Sequence, residues 1–372
     1  MKKIMVIILF LAILLTPIFS FADDIDTDIN AEDINNDVLE AVSQSSNEPK
    51  VQSRAAIVFD RDSKQVLWGK QENVRVPMAS TTKIMTAVIL LESGRDLNET
   101  IEVDKKAAAI GGSTMRLKAG DKLTLNDLLY GLMLPSGNDA AMQIAISVGG
   151  SKEGFADMMN AKAKGLGLKD THFTSPHGLD DPEHYTTAYE LAVITDYALN
   201  IPKFREVVST QTYNALINGE SRELHNTNEL LGYLEGVEGV KTGFTNNALR
   251  CLVTYDTRNN FNIITVVLGA DTKKIRTKDS INLIEYTYTN YEPVNIRSMA
   301  EEEFGNWQNI NQKRIHINKG VKDYPELQLS QQKYTLYLVK KDEIKNINIE
   351  INSKWRIGST CKEKSSNPEI LK

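Results

Sequence analysis

The chain predicts an α+β fold whose sheet is assembled from both ends of one long segment, residues 51–290. Three observations predict it. Strand-like patterns open the segment at "AAIVFD" and "QVLWG"; a block of helix-spaced apolar residues follows; strand patterns then return at "VEGVKTGFT", "RCLVTYDTR" and "NIITVVLGAD" before one last helical run. Strands on both sides of a helical block belong to one sheet with the helices gathered beside it.

The elements follow in order. Residues 1–22 read as an export signal: Lys2 and Lys3, an apolar run from Ile4 to Leu15, Pro17, and small residues Ser20 and Ala22 spaced for cleavage before Asp23. An uncleaved membrane helix is the alternative, because Ile4 to Ala22 is just long enough to span. Both readings put the rest of the chain outside the cytoplasm. Residues 23–50, rich in Asp, Asn, Ser and Glu with scattered apolar positions, predict a flexible acidic spacer. "AAIVFD", the polar turn "RDSK" and "QVLWG" predict a hairpin. A buried helix is expected from Ser80 through "IMTAVILLES", which is apolar on nearly all sides. Further helices are expected at "LTLNDLLYGLML", "NDAAMQIAISVG", "SKEGFADMMNAKAKGLG", "TTAYELAVITDYALN" and, after the returning strands, "TKDSINLIEYTYTN". Residues 291–362, with stretches such as "KRIHINKG" and "KYTLYLVK", predict a second, smaller β-rich domain, and 363–372 a tail.

Composition excludes several classes of function. With 41% apolar and 25% charged residues the chain has an ordinary globular balance. A net charge of -6 without a basic stripe gives no footprint for nucleic acid. Two cysteines, Cys251 and Cys361, make no disulfide scaffold.

One lysine stands out. If Ser80 caps the helix, Lys83 occupies the third helical position, where a capping box wants Glu or Gln and where a cation opposes the helix dipole by about 0.3–1 kcal/mol. Its neighbours Ile84, Met85, Val88 and Ile89 imply burial, which lysines rarely accept unpaired. Residues three apart share a helix face, so the Ser80 hydroxyl and the Lys83 amine meet. Desolvation lowers a lysine pKa by as much as about 3–5 units, which would let Lys83 serve as base and Ser80 as nucleophile. The bland reading is a Ser-Thr-Thr cap with a lysine reaching for water. The same spacing recurs at Ser330 with Lys333 and Ser359 with Lys362, so by itself it decides nothing.

Company in order decides more. Ser136-Gly137-Asn138 follows in "LMLPSGNDAA", on a loop between two helical runs, and Lys241-Thr242-Gly243, a triplet that occurs once, follows in "GVKTGFT" on an expected strand. Serine-x-x-lysine, serine-x-asparagine and lysine-threonine-glycine in this order resemble the active site of penicillin-recognising serine acyl enzymes. The longer blocks "MASTTKIMTA", "LLYGLMLPSGNDAA", "THFTSPHGLDDPEHYTTAYELAVI", "HNTNELL" and "GVEGVKTGFTNNALRCLVTY" resemble the D-alanyl-D-alanine carboxypeptidases, the low-molecular-weight penicillin-binding proteins of peptidase family S11, over residues 50–290.

That resemblance implies a serine β-lactamase/DD-peptidase-like fold: a five-stranded antiparallel sheet flanked by helices, with a helical subdomain and a groove between them. It implies that Ser80 attacks the carbonyl of the penultimate D-alanine of a peptidoglycan stem peptide and that Lys83 takes its proton. Ser136 would relay a proton to the departing amine, and Asn138 would hold the substrate backbone and Lys83. Lys241 and Thr242 would bind the terminal carboxylate, and Gly243 would allow close approach. The backbone N–H groups of Ser80 and Phe244 would form the oxyanion hole. The implied chemistry uses no metal and no cofactor; stem peptides are the substrates, β-lactams the covalent inhibitors, and the membrane is reached only through an uncleaved N-terminal segment.

Rival readings remain at this point. His172, His177 and His184 with Asp180, Asp181 and Glu183 suggest a metal site, but their spacing fits no zinc motif and the stretch is loop-like. Cys251, in an apolar strand, reads as a buried structural thiol. A β-lactamase shares all three motifs, although no acidic residue stands in the loop context that class A enzymes use. A catalytically silent cell-wall binder or β-lactam sensor is the non-enzymatic alternative. Two departures bear on it: Leu249 stands where the family usually has glycine, and the C-terminal stretch shows no clear apolar stripe. The latter predicts a shortened second domain and a protein released to the wall space.

Overall fold

The computed structural model describes residues 29–259, 261–311 and 336–344. Its first element, α1 (Ala31–Gln44), corrects the expectation of a flexible spacer for those residues. Asn30 caps it, accepting from the Asp33 N–H at 2.9 Å while Asp33 accepts in return from the Asn30 N–H. Ile34, Val38 and Ala41 recur at helical spacing and form the inward stripe of an otherwise polar segment, with Ile34 and Ala41 buried. Average composition hid that stripe.

The hairpin follows as β1 (Ala55–Asp60) and β2 (Val66–Lys70). Next comes a 3₁₀ turn, Ala79–Thr82, and α2 (Lys83–Glu92). The helical block then contains β3 (Thr100–Glu102), α3 (Lys105–Ala108), β4 (Lys122–Thr124), α4 (Leu125–Met133), α5 (Asn138–Gly149), α6 (Lys152–Gly165), α7 (Ala188–Ala198) and α8 (Pro202–Val208). A hairpin of β5 (Thr212–Ile217) and β6 (Glu220–His225) leads into β7 (Val237–Thr245), β8 (Leu249–Arg258) and β9 (Phe261–Ala270), and α9 (Lys273–Asn290) closes the unit. The small pairs β3–β4 and β5–β6, with α3 and α8, are additions that the sequence patterns did not suggest.

The main sheet runs β2-β1-β9-β8-β7 with every pairing antiparallel, so both ends of the segment do build it. β1 lies inside the sheet and alternates between two cores. Ala55, Ile57 and Phe59 join Ile84, Met85 and Val88 of α2, whereas Ala56 and Val58 join Ile281 and Ile284 of α9 and Ile34 of α1. β7 is left as an edge strand beside the 3₁₀ turn, and this brings two of the three motifs together.

Beyond the unit, β10 (Tyr291–Asn295) pairs with β11 (Leu336–Lys340), and between them runs α10 (Ile296–Asn311). The β-rich reading of residues 291–362 is therefore corrected at 296–311, which form a helix. "KYTLYLVK" does supply a strand, while "KRIHINKG", the signal at 1–22 and the tail at 363–372 lie outside the described residues. Among the described residues no helix is long and apolar enough to cross a membrane.

Leu249 opens β8 with φ +58°, a left-handed conformation that glycine adopts freely and leucine rarely does. This gives a physical reason for glycine at that place. Cys251 is buried two residues further along β8, opposite Gly243, and burial pushes its thiol up to about 11.

Candidate active site

The nucleophile turn differs from the expected helix cap. Ser80 lies inside the 3₁₀ turn, makes no capping bond, and leaves Lys83 as the first residue of α2. Ala79 precedes it with φ +48°, a conformation seldom adopted by a side-chain-bearing residue, held where the chain meets its surroundings. The short turn keeps Ser80 and Lys83 on one side.

Lys83 is wholly buried, and its Nζ lies 2.7 Å from Ser80 Oγ, 2.7 Å from Asn138 Oδ1, 3.1 Å from the His177 carbonyl oxygen and 3.4 Å from Ser136 Oγ. Burial holds its pKa well below the ordinary lysine value, the charge of Lys241 adds to that, and Asp139 opposes it. A neutral amine has two N–H donors and one lone pair. The carbonyl oxygens of Asn138 and His177 can take both donors, which leaves the lone pair for the Ser80 hydroxyl proton.

Ser136 and Asn138 come from the tight connection between α4 and α5. Ser136 has φ +64°, and the Gly137 N–H donates to the Gly131 carbonyl at 2.8 Å. The Asn138 amide is oriented by its two partners: Nδ2 donates to the Gly111 carbonyl at 2.8 Å, which turns Oδ1 toward Lys83. Asp139 braces the facing loop by accepting the N–H groups of Met115 and Leu117.

Lys241, Thr242, Gly243 and Phe244 line edge strand β7. Lys241 is buried, with Nζ donating to the Thr242 carbonyl at 3.1 Å; burial, then the Arg276 charge, lowers its pKa to about 7. Thr242 shares a 2.6 Å hydroxyl contact with Thr227. A Cβ on Gly243 would sit 3.1 Å from Ser80 N, tighter than ordinary contact, so a side chain there would press the nucleophile turn by a few tenths of an ångström. Phe244 carries the Arg250 guanidinium 3.4 Å from its ring centroid. The structure thus brings all eight expected site residues to the junction of α2, the α4–α5 connection and β7.

Two contributors escaped the sequence reading. Arg276 of α9 is buried, pairs with Glu229 and acts electrostatically on Lys241. Arg276 falls one residue before the stretch expected as the last helix, and only because α9 begins at Lys273 does it gain an inward-facing helical position. The other contributor is the loop over residues 172–184. Its histidines have protein partners: His177 Nδ1 accepts from the Leu179 N–H, and His172 and His184 bond to Glu183 and Thr82. His177 offers Lys83 its backbone carbonyl, which no pattern of side chains announces.

Comparison with known proteins gives the family. The family model for D-alanyl-D-alanine carboxypeptidase, Peptidase_S11, matches residues 42–272. The chain belongs to that family. D-alanyl-D-alanine carboxypeptidase DacF of Bacillus subtilis is 31% identical over 318 residues, covering 83% of this chain and 78% of the relative. The D-alanyl-D-alanine carboxypeptidase of Streptomyces sp. strain K15 is 34% identical over 257 residues, covering 64% of this chain and 88% of the relative. Among solved structures, the carboxypeptidase DacD from Francisella tularensis aligns with a TM-score of 0.62 at 27% identity, over 67% of this chain and 74% of that one. The Streptomyces K15 DD-transpeptidase aligns with a TM-score of 0.62 at 34% identity, over 65% and 99%. In this carboxypeptidase, among the described residues, the hydrogen bonds of Ser80 and Lys83 involve no carboxylate.

Proposed function

We propose that this serine-type D-alanyl-D-alanine carboxypeptidase removes the terminal D-alanine of peptidoglycan stem peptides through an acyl-enzyme on Ser80, in a catalytic unit spanning residues 51–290. The reading is carried by the 2.7 Å approach of the buried Lys83 amine to Ser80 Oγ, with both amine donors engaged elsewhere. As the Ser80 oxygen bonds to the penultimate D-alanine carbonyl carbon, its proton passes to Lys83. The oxyanion is held by the N–H groups of Ser80 and Phe244, each donor contributing roughly 2.7–4 kcal/mol in comparable sites.

Collapse breaks the C–N bond, and Ser136, 3.4 Å from Lys83, passes the proton to the leaving amine. Lys241 and Thr242 meet the terminal carboxylate with a cation and a hydroxyl on an edge strand that an extended peptide can join. Water attacks the acyl-enzyme, gives its proton to Lys83, and restores Ser80 as the shortened peptide leaves. β-Lactams enter the first half of the same path. The chemistry runs outside the cytoplasm, where the export signal read at residues 1–22 would deliver the chain.

Incubation with a fluorescent penicillin, location of the adduct by mass spectrometry, and measurement of D-alanine release test the reading. A slowly cleared adduct on Ser80 with D-alanine release is expected, and Ser80→Ala abolishes both with the fold intact. A rapidly cleared adduct without D-alanine release would instead make the protein a β-lactamase, and a stable adduct without peptide turnover a sensor.

A further inference from the structure

The peptide unit joining Ala79 to Ser80 carries the Ala79 carbonyl on one side and the Ser80 N–H on the other, because a trans peptide is planar. Whatever fixes the carbonyl therefore aims the N–H. Thr82 Oγ1 donates to the Ala79 carbonyl oxygen at 2.7 Å, and a hydroxyl has a single hydrogen to give. Thr82 Oγ1 also lies 2.7 Å from His184 Nε2, so it accepts there and Nε2 carries the proton. His184 Nδ1 in turn accepts the Thr174 N–H at 3.0 Å, which agrees with that tautomer. Thr174 N–H, His184, Thr82 and the Ala79 carbonyl thus form one directed chain.

The chain is buried throughout its working part. Thr82 is 1% and His184 3% exposed, and the imidazole stands edge-on to Phe173 with ring centroids 5.7 Å apart. Burial lowers the His184 pKa to about 4, which keeps the ring neutral at neutral pH. The carbonyl is confined from another direction by Gly178, where a Cβ would lie 1.9 Å from the Ala79 oxygen. On the opposite side of the peptide, Ser80 N faces the bare backbone of Gly243. Ala79 itself, at φ +48°, would relax if the carbonyl were released.

We propose that Thr82 and His184 are positioning residues that hold the Ala79–Ser80 peptide in the orientation in which the Ser80 N–H points into the oxyanion hole. The inference rests on the serine acyl-enzyme reading above. Neither side chain touches substrate; both act through one peptide plane. Their effect belongs to transition-state charge and not to ground-state binding, so it falls on kcat with KM left nearly constant.

Thr82→Val keeps the shape and removes the hydroxyl, and Thr82→Ser keeps the hydroxyl. On a D-alanyl-D-alanine peptide, Thr82→Val is expected to lower kcat about tenfold with KM within twofold of the parent, less than the roughly 10²–10³-fold loss on removing an oxyanion donor outright. Thr82→Ser should return kcat to within about threefold of the parent. His184→Leu should match Thr82→Val, and the double variant should be no worse than either, because serial links in one relay are not additive. His184→Gln, which can donate and accept in the same sense, should recover part of the loss.

A Thr82→Val enzyme with kcat within twofold of the parent overturns the proposal, as does a loss confined to KM, a Thr82→Ser variant no better than Thr82→Val, or multiplicative losses in the double variant. Should His184→Leu not fold, as judged by circular dichroism, the Thr82 pair alone decides. A parent enzyme that forms no penicillin adduct on Ser80 would instead remove the acyl-enzyme reading itself.

Discussion

The two faces of the sheet bury charge in opposite ways. On the catalytic side, Lys83 and Lys241 are buried near each other, hydrogen-bonded to neutral oxygens, and both are pushed toward the neutral amine. Beneath the other side, Arg258 of β8 lies beside Asp256 at 3.3 Å and Glu285 of α9 at 2.9 Å, with the Tyr288 hydroxyl donating to Asp256; burial lowers the arginine's pKa, but the carboxylates outweigh that and raise it overall. Arg276 similarly faces Glu229. A carboxylate alongside favours the protonated form of a buried cation, as for Arg258, whereas burial without a hydrogen-bonded carboxylate disfavours it, as for Lys83 and Lys241.

The largest effect should come from exchanging a cation for methionine on each face. Lys83→Met is expected to lower penicillin acylation by about 10²–10⁴-fold while the melting temperature stays within a few degrees, because a buried amine without a counter-charge contributes little to stability. Arg258→Met should do the reverse, destabilising by about 3–5 kcal/mol in denaturant titrations by orphaning Asp256 and Glu285, with acylation of the folded fraction unchanged. Equal losses of stability in the two variants would break the comparison.

A smaller effect concerns the coupled lysines. Lys83 must be neutral to accept a proton, so kcat/KM falls as pH drops through its depressed pKa. Lys241 must be charged to hold a carboxylate, so kcat/KM falls again as pH rises past about 7. The limbs belong to the pair and not to either residue alone. Lys241→Met should raise KM about 10–100-fold, as loss of a charged hydrogen bond worth about 1.5–3 kcal/mol would, and remove the alkaline limb. It should also move the acid limb upward, because Lys83 then keeps its proton to higher pH. An unmoved acid limb in the pH profile would show that the two amines do not interact.

The smallest effect sits under the paired face. Burial raises Asp256 to about 6 despite Arg258, so the folded state binds this proton more tightly than the unfolded chain does. Its contribution is fully present below the unfolded value near 3.9 and is lost as pH rises through about 6. Asp256→Asn should flatten that pH dependence by on the order of 1–2 kcal/mol, since Arg258 and Tyr288 readjust around the charge. Thermal melts of the two proteins across pH 4–7 measure the difference, and parallel curves would refute it.

Local pattern carried much of this protein. The strand patterns in "VEGVKTGFT", "RCLVTYDTR" and "NIITVVLGAD" located β7, β8 and β9 closely, and the three short motifs led to seven residues on the elements that meet around the nucleophile turn. These are properties of neighbouring residues, since side-chain period and three-residue spacing depend only on the chain's own geometry. The same reliance on local averages failed over residues 31–44, where Ile34, Val38 and Ala41 form a stripe that an acidic composition masks, and at 296–311, where α10 replaces expected strands.

By itself, then, the sequence determined that a serine and a lysine stand three apart at the start of a buried helix and which elements follow. Only the tertiary structure decided that the turn is 3₁₀, that the His177 carbonyl reaches Lys83 across 94 residues, that His184 reaches Thr82 across 102, and that Arg276 stands behind Lys241. The physical reason is that a backbone carbonyl, a tautomer or a left-handed alanine has no sequence signature of its own. Each is selected by what the folded chain brings against it, and each persists because the surrounding packing outweighs its local strain.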